Sequence, residues 1–262
     1  MPMHLPTPEH PLDSPAQRVA DRRRLQRALN TSLAFVLLLS AIFFAQGSFD
    51  PGPWAVAPWS LSGLLGLLTA PLLHGSIEHL AANAISLLLL GSLAGAVYPR
   101  ATVRAVPLLW LGSGLGAWLL GDPGSHHLGA SGLTHGLMFL VFVLGVLRRD
   151  RPSIAAAMIA FLLYGGMLLT VLPREVGVSW QSHLGGAVAG VLAAWLWRHA
   201  DPLPVRKRYS WEEEEEAQAM EPAERDSLEP PSPADVPVIW QRPEPRDERG
   251  VVVEFPPRGR AR

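Results

Sequence analysis

The sequence predicts an all-α membrane protein, a bundle of six transmembrane helices flanked by two disordered polar tails. Three observations carry this. Long apolar runs fill the chain from about Leu29 to Arg198, while both ends are polar. Six of those runs come near the ~20 residues that a helix needs to cross a hydrocarbon core of ~30 Å. In lipid, a helix satisfies its own backbone hydrogen bonds without closing a barrel, which assigns the runs to helices.

The helices are expected over 30–46, 76–97, 101–120, 131–147, 153–172 and 180–198. The chain then divides into an N-terminal tail (1–28), a membrane domain (29–199) and a C-terminal tail (200–262). The first tail is Pro-rich and then Arg-rich. Its basic residues, the apolar run and Ala45-Gln46-Gly47 loosely resemble a signal peptide with its cleavage site. The long leader and the length of the apolar run favour a retained first helix. The stretch 47–75 is too long for a turn, and its Trp54, Trp59 and leucines suit the outer membrane interface. The fourth helix is short and begins at a serine. The tail from Asp201 is rich in Pro, Glu and Arg, with an acidic run at Glu212–Glu216, and cannot bury enough apolar surface to fold alone.

The net charge of −1 says little because charge is segregated along the chain. Arginines flank the second-to-third and fourth-to-fifth turns (Arg100, Arg104; Arg148, Arg149, Arg151), and basic residues follow the sixth helix. Stretches 47–75 and 121–130 carry no Lys or Arg, and 173–179 has only Arg174. The positive-inside rule then puts both termini in the cytoplasm, in agreement with an even number of spans. Ser131, His183 and the start of the second helix, with His74 and His79, all fall at non-cytoplasmic helix ends. Three places far apart in sequence thus meet at one depth.

Polar side chains inside apolar segments are costly and mark candidate sites. Ser131 lies between Gly129 and Gly132, which allow a tight turn, at a helix N-terminus whose N–H groups are free to meet an oxyanion. By itself such a sequence is more often a packing motif or a plain helix start. In the sixth helix, His183 is followed by Gly186 and Gly190 on one face, as Gly132 is followed by Gly136 in the fourth. Small-xxx-small faces pack closely, which would hold His183 at the height of Ser131. A serine with a histidine in hydrogen-bond reach is the minimal equipment for nucleophilic acyl transfer. Ordinary glycine packing is the alternative. His79 and Asn83 are i, i+4 on the second helix and offer two uncharged donors to one point, or else form a buried polar pair. His74 precedes that helix and is placed to organise the loop.

The chain has no cysteine, so disulfides, thiol nucleophiles and thiolate metal sites are excluded. No His-Glu-x-x-His occurs, and His74 to Glu78-His79 is one residue too long for the inverted zinc motif. No catalytic metal is expected, and nucleic acid is not an expected partner.

In order, these residues resemble the rhomboid family of intramembrane serine proteases, over roughly 30–198. The resemblance rests on His-x4-His-x3-Asn on the second helix, Gly-Ala-Ser-Gly opening the fourth, and His-x2-Gly-x3-Gly on the sixth. It implies a six-helix core with a Ser131–His183 dyad and an oxyanion hole of the Ser131 N–H, His79 and Asn83. It implies no metal or cofactor, and substrates that are membrane-anchored proteins cut within or beside their transmembrane segments. A bacterial inner membrane is the expected location; oligomeric state is not readable. Many family members carry Tyr four residues after the serine, packed on the histidine, where this chain has His135. No Trp-Arg pair is evident in 47–75, and Asp122, His126 and His127 make an unusually polar approach to the serine. A catalytically inactive relative that binds transmembrane helices is the second reading, although such proteins usually lack the serine or histidine. A transporter or channel with a polar midplane site is the third, disfavoured because the polar residues gather near one face and no pair of broken helices is evident.

Overall fold

Helix α1 runs unbroken from Pro15 to Ala45, in a computed structural model that describes residues 15–174 and 177–202. Residues 15–28, expected to belong to a disordered tail, are therefore helical. Ala, Leu, Gln and Arg are strong helix formers, and extending an existing apolar helix avoids the cost of a new nucleus. Disorder expected for 1–14 and for most of the C-terminal tail falls outside the described residues.

After α1 the chain makes a series of short helical turns through the 47–75 stretch, including the apolar piece Ser62–Leu72. Helix α2 spans Ile77–Val97. The Ser76 side chain caps it by accepting from the His79 N–H at 3.2 Å. One turn past Asn83 the helix widens into a π-helical turn, Leu87–Gly91. Helix α3, Pro99–Leu120, opens on a proline, where the missing N–H costs nothing. Helix α4 is Ser131–Arg148, closed by Arg149 in the left-handed conformation (φ 58°). Helix α5 is Arg151–Tyr164, shorter than the expected 153–172. Gly165 and Gly166 end it, and the chain continues as a 3-10 turn over Gly165–Leu168. Helix α6 is Trp180–Trp197.

Five helical stretches are long and apolar enough to cross a membrane, among the described residues: α1 to α4, and α5 together with its 3-10 turn to Leu168. α6 has the length of a short span, but its first turn carries Gln181, Ser182 and His183. It packs most extensively of all on α3 and α4. Its small residues serve both contacts: Gly185 faces Gly112 and Gly116 of α3, whereas a Cβ on Gly186 would overlap the Gly132 carbonyl of α4 and one on Gly190 the Gly136 carbonyl. The core is built from Leu39, Leu90, Leu109, Met138, Leu140 and Leu144 with alanines of α3, α5 and α6.

At the end of the bundle opposite Ser131, Asp201 is buried and accepts from the Arg100 and Ala101 N–H groups at 2.9 and 3.0 Å, capping α3. Arg148 donates to the Arg198 and Asp201 carbonyls at 3.0 and 2.9 Å. This knot ties the ends of α3, α4 and α6 together.

Candidate active site

Gly129, at φ 114°, turns the chain into α4. A Cβ there would collide with the His79 ring, so glycine lets α2 and this turn meet. The Gly129 N–H donates to the Ala70 carbonyl at 2.9 Å. Val56 and His127 exchange two backbone hydrogen bonds of 2.9 Å, pinning the 47–75 stretch to the segment before Ser131. Ser131 is thus the first residue of a helix held from both sides.

The Ser131 hydroxyl lies 2.9 Å from His183 Nε2. His183 Nδ1 lies 3.0 Å from the Thr170 carbonyl. A carbonyl only accepts, so Nδ1 carries the proton and Nε2 is free to accept from the serine. The Thr170 carbonyl occupies the place of the third, orienting group in a nucleophile–base–orienter set. It reaches there because the helix ends at Tyr164 and the following turn brings Thr170 back towards α6.

His135 lies flat on His183, ring centroids 3.9 Å apart and planes 11° from parallel. Its Nδ1–H donates to the Ser131 carbonyl at 2.6 Å, so the neutral ring accepts at Nε2 from the Thr170 hydroxyl, 2.8 Å away. Thr170 therefore touches both rings, one through its backbone and one through its side chain.

These groups line a cavity of about 1070 Å³ with His79 and Asn83. Asn83 is 4% exposed, and its Nδ2 donor has no hydrogen-bond partner among the described residues. A buried donor left unmade costs ~1–3 kcal/mol, which a ligand oxygen would recover. Asp122, Ser125, His126 and His127 form one wall of the cavity. His127 is a clamp: Nε2 meets Ser125 Oγ at 2.9 Å and Nδ1 meets Ser179 Oγ at 2.7 Å. Burial lowers its pKa, with Asp122 opposing and His126 adding.

His74 is not in the cavity. It stands behind His79, ring edge against face at 5.1 Å, and is 1% exposed. Gln46 holds its backbone through paired bonds of 2.9 and 3.0 Å, tying the end of α1 to the approach to α2. Burial, and then the neighbouring His79, push the His74 pKa down to about 4. Gly132 and Gly186 set the close α4–α6 approach and Gly190 extends it. Beside them Ser113 and Ser182 share a buried hydrogen bond of 2.7 Å. Among the described residues, no three His, Asp or Glu side chains cluster as metal ligands.

Thr170, Ser113 and Gln46 were not expected from sequence. Thr170 acts largely through a carbonyl that any residue would present. Ser113 and Gln46 sit in segments without a motif.

Residues 61–200, just over half of the chain, match the family model of the Rhomboid domain. The uncharacterized protein Rv1337 of Mycobacterium tuberculosis (strain ATCC 25618 / H37Rv) is 42% identical over 149 residues, 54% of this chain and 62% of its own length. The uncharacterized protein ML1171 of Mycobacterium leprae (strain TN) is 40% identical over 141 residues, 51% of this chain and 56% of its own length. The chain thus spans about three-fifths of the length of the curated relatives it matches.

Proposed function

Because this chain belongs to the rhomboid family, we propose that it is a serine endopeptidase that cuts membrane-anchored proteins within or beside their transmembrane segments. The observation that carries the reading is the Ser131 Oγ–His183 Nε2 hydrogen bond of 2.9 Å, with His183 Nδ1 fixed on the Thr170 carbonyl.

In this mechanism Ser131 Oγ attacks the scissile carbonyl as its proton passes to His183 Nε2. The imidazolium is held by its Nδ1–H bond to Thr170 and by the π-face of His135. The oxyanion lies among the Ser131 N–H, His79 and the Asn83 amide. As the first residue of α4, Ser131 has an N–H with no acceptor inside the helix. His183 then returns the proton to the leaving amine, and the acyl-enzyme bond to Ser131 Oγ remains. A water entering from the polar wall of Asp122, Ser125 and His126 gives its proton to His183 and attacks the acyl carbonyl. Collapse returns the proton to Ser131. No metal or cofactor enters these steps.

The proposed topology has six crossings, α6 being the sixth, with both termini in the cytoplasm of a bacterial inner membrane. It is supported by the arginines at one end of the bundle and the cavity at the other. Exposed Trp59, Leu61 and Leu68 suit a 47–75 stretch lying in the outer leaflet. An inactive helix-binding relative is disfavoured because Ser131 and His183 are both present and hydrogen-bonded.

A fluorophosphonate probe tests the reading without a known substrate. It labels the wild-type protein at Ser131, and His183→Ala reduces labelling to background. Equal labelling of Ser131→Ala would overturn the assignment.

A further inference from the structure

A second cavity, of about 810 Å³, lies between α1, α2 and α3 and is separate from the Ser131 cavity. Its α1 wall runs from Ala20 to Phe35, about 22 Å at 1.5 Å per helical residue. That length matches one headgroup layer plus one leaflet of a bilayer with a ~30 Å core. The two ends differ in chemistry. At one end stand Arg23 and Arg27, four apart on the same helix face, with Arg24 beside them. Arg24 is paired with Asp21 at 3.1 Å. No ion pair holds Arg23 or Arg27 among the described residues. The other end is walled by Phe35, Trp110, Leu133 and Leu137.

We propose that this cavity binds one anionic glycerophospholipid, its phosphate between Arg23 and Arg27 and an acyl chain laid along the apolar wall. Arginine donors match phosphate oxygens in geometry as well as charge. A basic mouth on an apolar slot between membrane helices favours an anionic over a zwitterionic headgroup. The slot ends on Leu133, two residues from Ser131, so the bound chain would pack against the helix that carries the proposed nucleophile. The binding claim requires only that the helices cross a membrane; it stands or falls apart from the protease reading.

The test uses full-length protein in vesicles of phosphatidylcholine containing a minor fraction of mid-chain dibrominated phosphatidylglycerol or, in parallel, dibrominated phosphatidylcholine. Bromine quenches tryptophan on contact, and the difference between wild type and Trp110→Phe isolates the Trp110 signal. The brominated anionic lipid is expected to quench Trp110 at about thirtyfold lower mole fraction than the zwitterionic one, the scale of two arginines near an anionic headgroup at about one kcal/mol each. The double variant Arg23→Gln/Arg27→Gln removes that preference, and Arg23→Lys/Arg27→Lys retains most of it. Arg104→Gln, at the same end of the bundle but outside the cavity, leaves it intact. Equal quenching by the two lipids in wild type would overturn the proposal. So would equal loss of preference in Arg104→Gln, which would mark a general surface-charge effect.

Discussion

His135 is stacked on His183, ring centroids 3.9 Å apart and planes 11° from parallel, and is hydrogen-bonded to the Ser131 carbonyl. One side chain thus braces both members of the proposed dyad. Its own position depends on the Thr170 hydroxyl. Ring stacking fixes the plane of His183, and the Thr170 carbonyl fixes its rotation within that plane.

Replacing His135 separates these contributions. His135→Ala removes the stack and both hydrogen bonds, and His135→Phe restores the stack alone. An aromatic pair is worth ~0.5–1.5 kcal/mol beyond burial. Cleavage kcat is therefore expected to be about 2–10-fold higher in His135→Phe than in His135→Ala, with both below wild type. Single-turnover kinetics on one transmembrane substrate measures this.

Asn83→Ala is expected to lower kcat by ~10²–10³, the usual cost of one oxyanion donor. Because Asn83 Nδ2 is buried without a partner among the described residues, the same change should leave thermal stability equal or higher. Loss of activity accompanied by a large fall in Tm would point to a structural role instead.

The sequence made the apolar segments and the motif residues legible for different reasons. Segment positions follow from run length, and 131–147 and 180–198 agree with the helices found to within a residue or two. That Ser131 and His183 share a depth followed from the distribution of arginines in the loops. The expected α5 runs on to about 172 because Met167 to Leu172 continue the apolar run, whereas Gly165-Gly166 end the α-helix. Inside a continuing helix the Thr170 carbonyl would be engaged in the backbone ladder; the helix end releases it to His183 Nδ1. The helical stretch 15–28 was obscured by its charge, which resembles a solvated tail until it is joined to an apolar helix.

His74 gives the fold a pH dependence of definite sign. Its folded pKa is about 4 against 6.5 for the free side chain. Between those values the unfolded chain binds more protons, so stability rises with pH there. It is at its full value above about pH 6.5 and is lost as pH falls through about 4. The lowered pKa of His127 acts in the same sense. Thermal unfolding in detergent should show Tm falling over this window, with a shallower fall in His74→Phe.

The knot at the far end of the bundle concerns stability rather than chemistry. Asp201→Ala exposes the Arg100 and Ala101 N–H groups that the carboxylate now caps. Loss of a helix cap costs ~0.5–2 kcal/mol. The unfolding free energy should fall by that amount while kcat of the folded fraction stays within about twofold of wild type.

Cleavage of a panel of tagged single-span membrane proteins, reconstituted in vesicles with wild type or Ser131→Ala, tests the central claim most directly. Wild type is expected to cut at least one substrate within or beside its transmembrane segment. Ser131→Ala, with an unchanged Tm, is expected to cut none. Cleavage of the same bond by Ser131→Ala at a comparable rate would contradict the account.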